Sequence, residues 1–206
     1  SITEDDLLEL SLANAAPVGI VLSGEETFRE AMDRVAASVG AWYAFDTTGA
    51  LRLGRLEAPA AGSILTLERK DVFVEGIERR PPRDPAIPAW RVSLGYARNW
   101  TVQTSGLAGV LSDARRAFLA RELRYTDPAE DEAIKARHLL APELRFETLL
   151  INEADAEAEA QRLLEIHGQG QVVYDVPVPL KVVRAIMGTD GRILMKTVTL
   201  KLNRFG

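Results

Sequence analysis

Residues 27–56 of this chain read TFREAMDRVAASVGAWYAFDTTGALRLGRL. The first part predicts one amphipathic helix, because apolar residues recur there at helical period. The apolar positions are Phe28, Ala31, Met32, Val35, Ala36 and Val39. Gly40 stands where a left-handed residue would end that helix. Residues 42–45 predict a strand, residues 46–49 a turn, and residues 51–56 the returning strand. We therefore expect a helix followed by a β-hairpin.

Three details of this N-terminal part give further expectations. Ser23 and Glu26 have the spacing of a capping box, which places the start of the helix close to them. Leu56 falls off the alternation of the preceding leucines, so Gly54 predicts a β-bulge. Residues 1–16 predict a short helical entry, with Thr3 as its cap and Asp6 as an acid of its first turn.

Composition limits the function classes. The chain has 206 residues, a formal net charge of −5 and no cysteine. The negative charge argues against non-specific binding to nucleic acid or anionic membranes. The absence of cysteine excludes disulfides, thiolate catalysis and cysteine-based metal sites. No apolar run approaches the roughly 20 residues of a membrane span, and no signal peptide is visible. The chain begins without methionine, and we expect it to be a fragment of a longer protein.

The rest of the chain alternates short strands with a few helices. We predict strands at 64–67, 72–77, 90–96, 144–151, 172–178, 193–195 and 198–202. The strand at 90–96 alternates apolar and polar residues, as a half-buried strand does. One helix spans 114–123 with Ser112 or Asp113 as its cap, and another runs from Asn152 to a glycine stop at Gly168. Residues 79–88, RRPPRDPAIP, predict an exposed loop, and Asp190–Gly191 predict a hairpin turn. Residues 125–142 are left unassigned.

These elements indicate an α+β fold with antiparallel sheets and segregated helices. We expect a smaller helix–strand–strand module over residues 1–60 and a mainly β, barrel-like module with two helices over residues 61–206. The boundary is predicted at residues 57–63 or within the proline-rich loop.

No catalytic, cofactor-binding or metal-binding site is predicted. His138 and His167 lie far apart and lack the i, i+4 partner of a helical zinc pair. Acidic residues cluster at helix starts and on a solvated helix face, where they offset the helix dipole. These are Glu25, Glu26, Glu153, Asp155, Glu157 and Glu159. Gly168 and Gly170 follow a helix, the reverse of the phosphate-binding order. The enzyme reading is therefore the weaker one.

Two features suggest contact with another protein. Arg79, Arg80 and Arg83 lie in the predicted proline-rich loop among acidic neighbours and without interleaved aromatic residues. This pattern favours a solvated loop or a polar contact with a partner subunit over nucleic-acid binding. Trp100 follows the 90–96 strand in a polar segment, and exposed tryptophan is enriched at interfaces.

Several segments resemble bacteriophage and prophage tail proteins of the baseplate hub or tail-tip type, late control D-like. The first is GIVLSGEETFREAMDRVAASVGAWYAFDTTGALRLGRLEAP at 19–59. The others are AWRVSLGYARNWTVQ at 89–103, SDARRAFLAREL at 112–123, APELRFETLL at 141–150, ADAEAEAQRLLEIH at 154–167 and VTLKLNRFG at 198–206. The chain departs from the family pattern at Met195–Lys196, where members often have Gly-Asp.

The resemblance implies a structural virion component that joins the tail tube to the tip by protein–protein contacts. It implies other tail proteins as partners, a homo-oligomer, commonly a trimer, and no cofactor. The location implied is the virion tail, with assembly in the bacterial host cytoplasm. The alternatives are a tail-associated cell-wall hydrolase, for which two carboxylates in one cleft would speak, and a carbohydrate- or protein-binding module with an exposed aromatic groove.

Overall fold

The computed structural model describes residues 4–22, 24–46, 49–58, 62–80, 87–169, 172–188 and 196–202. The fold is α+β, as predicted. The helices are α1 (Glu4–Ala13), α2 (Phe28–Ser38), α3 (Asp113–Leu119), α4 (Glu132–Arg137), α5 (Glu153–His167) and α6 (Leu180–Met187). Within these ranges, no helix combines the length and the apolar character needed to cross a membrane.

The strands are short. They are β1 (Ala41–Phe45), β2 (Leu51–Arg55), β3 (Leu65–Glu68), β4 (Glu78–Arg80), β5 (Arg91–Tyr96), β6 (Arg124–Tyr125), β7 (Ala129–Glu130), β8 (Glu143–Glu147), β9 (Val173–Asp175) and β10 (Val198–Lys201). Three two-stranded sheets form: β1–β2 and β4–β9 are antiparallel, whereas β3–β10 is parallel. The barrel-like arrangement expected for the larger module is not found, because the strands of the described residues do not close into a barrel.

The fourth sheet is organised around β5. Strand β8 runs parallel along β5, while β6 and β7 pair antiparallel with its two ends. Helix α5 covers one face, where Val92, Leu94 and Ala160 are fully buried. The other face is also covered, since Leu123 and Tyr125 lie against Gly95. The expectation of a half-buried strand was therefore wrong: β5 is a central strand, buried on both faces.

A second apolar cluster lies apart from this core. It is built on Leu67, Val72 and Val182, from β3, the segment after it and α6. Neither α6 nor the parallel pairing of β3 with β10 was predicted. The strand expected at 72–77 is wrong as well, because the 3₁₀ turn Val74–Gly76 lies within it, preceded by another at Arg69–Asp71.

The two apolar clusters do not correspond to two consecutive parts of the sequence. The second cluster takes residues on both sides of the 87–169 segment, which builds the first. The N-terminal helix–hairpin unit lies against the first cluster: Ser38 Oγ accepts the N–H of Leu149 at 2.9 Å, and Val39 packs on the core. The module boundary predicted at residues 57–63 stays a prediction, because residues 59–61 lie outside the described part of the chain.

Helix α2 starts one turn later than predicted. Thr27 is its N-cap and forms a capping box with Glu30. Glu26 instead forms an ion pair with Arg34, and Ser23, like Thr3, lies outside the described residues. The stop was predicted correctly, because Gly40 follows the helix with a φ of 68°. Asp6 was expected only as a first-turn acid, yet its side chain is buried.

The paired strands β1 and β2, at 41–45 and 51–55, contain no bulge. The register of β1 and β2 is continuous from Ala41–Arg55 to Phe45–Leu51. Gly54 faces Trp42, and a Cβ added to it would lie 2.6 Å from Trp42 Cζ2. The glycine is thus required for the close approach of an aromatic ring across the hairpin.

The remaining predictions have mixed outcomes. Helix α3 is capped by Ser112, one of the two predicted candidates, with Asp113 as its first residue, but it ends at Leu119. The segment left unassigned contains β7 and α4. Helix α5 runs between Asn152 and Gly168 as predicted. The strand at 193–195 and the Asp190–Gly191 turn lie outside the described residues.

A buried ion network joins α5 to the hairpin. Glu159 of α5 is 1% exposed and binds Arg55 Nη2 of β2 at 2.8 Å and Arg162 Nε at 2.9 Å. Arg55 also donates to the carbonyl of Ala13, at the end of α1, and Arg162 donates to the carbonyl of Leu56. The prediction that Glu159 lies on a solvated face was wrong, because these two arginines compensate its charge inside the protein.

We expect Gly40→Ala to destabilise the protein strongly. A Cβ at this position would lie 2.3 Å from Arg162 Nη2 and 2.8 Å from Glu159 Oε1, in addition to the cost of a positive φ. The free energy of unfolding should fall by about 2–4 kcal/mol, measured by urea denaturation. Gly106→Ala is the matched control, since its φ is 72° and its surroundings are open, and it should cost about 1 kcal/mol. Equal losses for the two variants would contradict the crowding at Gly40.

We expect the capping box of α2 to lose its stabilising effect in acid. The Thr27 backbone N–H, followed by the Thr27 hydroxyl, lowers the pKa of Glu30 below its ordinary value of 4.5. Because the folded-state pKa is depressed, the contribution is present above the ordinary value and is lost as the pH falls through the lowered pKa. Thr27→Ala removes the hydroxyl but keeps the backbone N–H, so the pKa of Glu30, followed by NMR titration, should rise only part of the way towards 4.5. Ser112→Ala, which removes the cap of α3, should leave it unchanged.

Candidate protein-interaction surface

Residues 97–112, here called the 97–112 loop, join β5 to α3. The loop starts at Ala97, whose φ of 48° is rare for a residue with a Cβ. The Ala97 N–H donates to the carbonyl of Leu150 at 2.8 Å, which fixes this turn to the first core. The chain therefore leaves the central strand at a defined angle.

The base of the loop is held by Asn99. Its side-chain amide donates to the Leu119 carbonyl at 2.9 Å, and its backbone N–H donates to the Glu122 carbonyl at 2.8 Å. The Gln103 N–H donates to the same Leu119 carbonyl at 2.9 Å. The bonds to Leu119 satisfy the carbonyl of the last residue of α3, where a helix leaves its acceptors unpaired. The loop is thereby attached to α3.

The tip of the loop is held by Arg116. Its guanidinium donates to three backbone carbonyls, those of Leu111 at 3.1 Å, Ala108 at 3.3 Å and Gly109 at 3.2 Å. Val110, between the bound carbonyls, leaves 95% of its surface exposed. A loop with a fixed backbone thus presents an apolar side chain to solvent.

Trp100 lies in a surface depression of about 450 Å³, here called the Trp100 depression. Its lining consists of Glu26, Arg34, Arg98, Asn99, Trp100, Val102 and Glu122. The Trp100 side chain is 40% exposed. The guanidinium carbons of Arg34 and Arg98 lie 5.5 and 5.3 Å from its ring centroid, within the range of cation–π contacts. The depression brings α2 and the 97–112 loop together.

The charges of the Trp100 depression are balanced. Arg34 Nη1 lies 2.5 Å from Glu26 Oε1, and Arg98 Nη2 lies 2.7 Å from Glu122 Oε1 and 3.3 Å from Glu147 Oε2. Each guanidinium is therefore held by a carboxylate and contacts the indole at the same time. A partly exposed tryptophan with polar groups at its rim is the arrangement found at the centres of protein interfaces.

The predicted arginines occupy a different part of the fold. Arg79 and Arg80 belong to strand β4 and not to a loop, because β4 pairs with β9. Arg80 forms an ion pair with Asp175 of β9, while Arg79 lies opposite Tyr174. Arg83 falls outside the described residues. The structure thus places Arg79 and Arg80 beside β9, and Trp100 beside α2 and α3.

The histidines occupy separate structural positions. His167 lies in the last turn of α5 with its ring stacked on Phe146, at a centroid distance of 5.8 Å. His138 is the exposed C-terminal cap residue of α4. Across the described ranges, no cluster of three or more histidine, aspartate or glutamate side chains could hold a metal ion.

One tyrosine at the end of β5 has a perturbed acidity. Burial raises the pKa of the Tyr96 hydroxyl, and the hydrogen bond to Glu153 raises it further. Tyr96 packs in the first core against α5. Its raised pKa follows from packing, since removal from water disfavours the phenolate.

Comparison with known proteins adds no relative, because no protein-family model and no curated protein matches this chain.

The sequence indicated Trp100 as a candidate interface residue, but it did not indicate which side chains surround it. Arg34 and Arg98 lie on α2 and just after β5, and no spacing rule connects them. The role of Arg116 was also missed, because a guanidinium that binds backbone carbonyls leaves no mark on the neighbouring sequence. A weak signal existed in the length of the 97–112 loop, since long loops in compact domains are frequently functional.

We expect Arg116→Ala to release the tip of the 97–112 loop. Loss of the three bonds should speed amide hydrogen exchange at residues 108–111 roughly tenfold, which corresponds to about 1.4 kcal/mol of local stability. Arg115→Ala is the matched control, because Arg115 stacks on Phe118 and not on the loop. Unchanged exchange in Arg116→Ala, measured by mass spectrometry, would show that the guanidinium does not hold the loop.

Proposed function

We propose that this chain is a structural component of a phage or prophage tail, of the baseplate hub or tail-tip type, which acts through protein–protein contacts and not through catalysis. The proposal rests on the resemblance of the segments quoted above. One structural observation supports it most: the 97–112 loop has a fixed backbone yet exposes Trp100 and Val110. Ordered apolar side chains on a surface favour a partner protein.

The proposed location is the tail tip of the virion, after assembly in the host cytoplasm. We expect antibodies against this chain to label the tip of purified tails in electron micrographs. Mass spectrometry of the same particles should detect its peptides. Label confined to capsids, or peptides found only in the soluble lysate, would rule out a tail protein.

The Trp100 depression should contribute to assembly. We expect Trp100→Ala to lower the amount of this chain in particles several-fold, because a partly buried tryptophan anchor commonly contributes 2 kcal/mol or more to an interface, roughly a thirtyfold effect. Leu139→Ala is the matched control, since Leu139 is exposed and lies outside the depression. Equal incorporation of both variants would remove the Trp100 depression from the proposed contact surface.

An activity measurement distinguishes the alternative, a cell-wall hydrolase, from the proposed structural role. Glu26 and Glu122 both line the Trp100 depression, and each is held by an arginine. We expect the purified protein to release no fragments from peptidoglycan. Turnover that Glu26→Gln or Glu122→Gln abolishes would overturn the structural role and establish the hydrolase.

A further inference from the structure

Helix α1 buries an acidic side chain and exposes leucines. Its fully buried side chain is Asp6, which accepts the N–H of Leu53 at 3.1 Å and lies 3.0 Å from Arg52 Nε. Leu8 and Leu12, one turn apart, are 60% and 79% exposed. A surface helix ordinarily buries its apolar face and exposes its charges. The buried aspartate fixes the rotation of α1, so the outward leucines are a consequence of the fold.

The exposed face of α1 is acidic as well as apolar. Glu4 and Asp5 are exposed beside the leucines, since they precede Leu8 by four and three residues and so share its face of the helix. Residues 4–22 contain four carboxylates and no lysine or arginine. We call Glu4, Asp5, Leu8 and Leu12 the α1 face. A partner for this face needs positive charge together with aliphatic groups that cover the leucines.

The second cluster carries such a surface. Helix α6 buries Val182 and leaves Leu180, Lys181 and Arg184 exposed, which we call the α6 face. The segments 62–80, 172–188 and 196–202 together hold eight lysines and arginines but only five acidic residues. Lysine and arginine have long aliphatic stems that can lie on leucine side chains while their charged ends reach carboxylates.

We infer that the α1 face of one copy binds the α6 face of a second copy. Both faces are exposed in the single chain, so they do not cover each other within it. Contact between two α1 faces would oppose like charges, which is unfavourable, whereas α1 against α6 joins opposite charges. The two surfaces differ, so each copy keeps one of each for further neighbours. Such a head-to-tail contact builds a closed ring or an open filament.

The inference rests on the proposed function and names the surfaces through which copies would meet. Helix α1 has 10 residues and is about 15 Å long. Two short helices supply only part of the roughly 800 Å² per partner of a stable interface. We therefore expect weak, salt-sensitive self-association that is visible at high protein concentration.

Charge reversal tests the contact by sedimentation equilibrium at low salt. The weight-average mass of the unaltered chain should rise with concentration. K181E/R184E and E4K/D5K should each weaken self-association about tenfold or more, because like charges then meet. The quadruple variant, with both faces reversed, should recover association, as should an equimolar mixture of the two double variants. R121E/R137E is the matched control, since both residues are exposed and lie outside the two faces.

Other outcomes overturn the inference in distinguishable ways. Association that both double variants retain would mean that copies meet through different surfaces, and the proposed function would stand. A chain that stays monomeric at the highest concentration would mean that α1 binds another partner or none. In that case the antibody labelling of tails tests the proposed function separately. Labelled tails would leave the proposed function intact, whereas a monomeric chain that does not label tails would contradict both the proposed function and the contact between the α1 and α6 faces.

Discussion

The buried carboxylate of Glu159 determines how the N-terminal unit sits on the rest of the protein. A charge that is removed from water is tolerated only with close partners, and Arg55 and Arg162 provide them. Arg55 comes from the hairpin, and Arg162 lies one turn further along α5. The same arginines bind the carbonyls of Ala13 and Leu56. Three segments, α5, the hairpin and the end of α1, are therefore fixed at one point by charge compensation.

This network also explains the glycine at the end of α2. The Gly40 carbonyl accepts the N–H of Leu56 at 2.8 Å, and the Arg162 guanidinium lies where a Cβ would be. Gly40, which was predicted as the left-handed residue that ends α2, thus has a second role in tertiary packing. Asp6 and Ser38 act similarly, since each buries a polar atom by binding a backbone N–H of another element. The Ser38 contact and the packing of Val39 together attach the N-terminal unit to the first core.

Apolar surface is divided unevenly between interior and exterior. The two cores are well buried around Leu94 and Val182, yet α1 and the 97–112 loop expose leucine, valine and tryptophan. Contiguous exposed apolar patches mark interaction sites, whereas single exposed apolar residues are ordinary. The exposed side chains on α1 and the 97–112 loop are therefore the places where the proposed assembly role can be tested.

Predictions succeeded where one local pattern fixes one local structure. Gly40 was placed correctly and the cap of α3 was narrowed to Ser112 or Asp113, because caps depend on few neighbouring residues. They failed where a partner distant in sequence decides. Alternation in β5 indicated one buried face, but Leu123 and Tyr125 cover the other. Gly54 suggested a bulge, but the Trp42 ring across the hairpin accounts for it. Helix α6 was missed, although its apolar residues have helical period.

The sequence by itself determined the α+β class, the helix–hairpin unit at 27–56, the limits of α5 and the candidacy of Trp100. These follow from periodicity, caps and turn residues, which act over a few positions. Only the tertiary structure decided that Glu159 is buried, that Arg34 and Arg98 flank Trp100, and that α1 turns its leucines outward. Each of these depends on charges and apolar groups from separate segments, whose meeting no local pattern encodes.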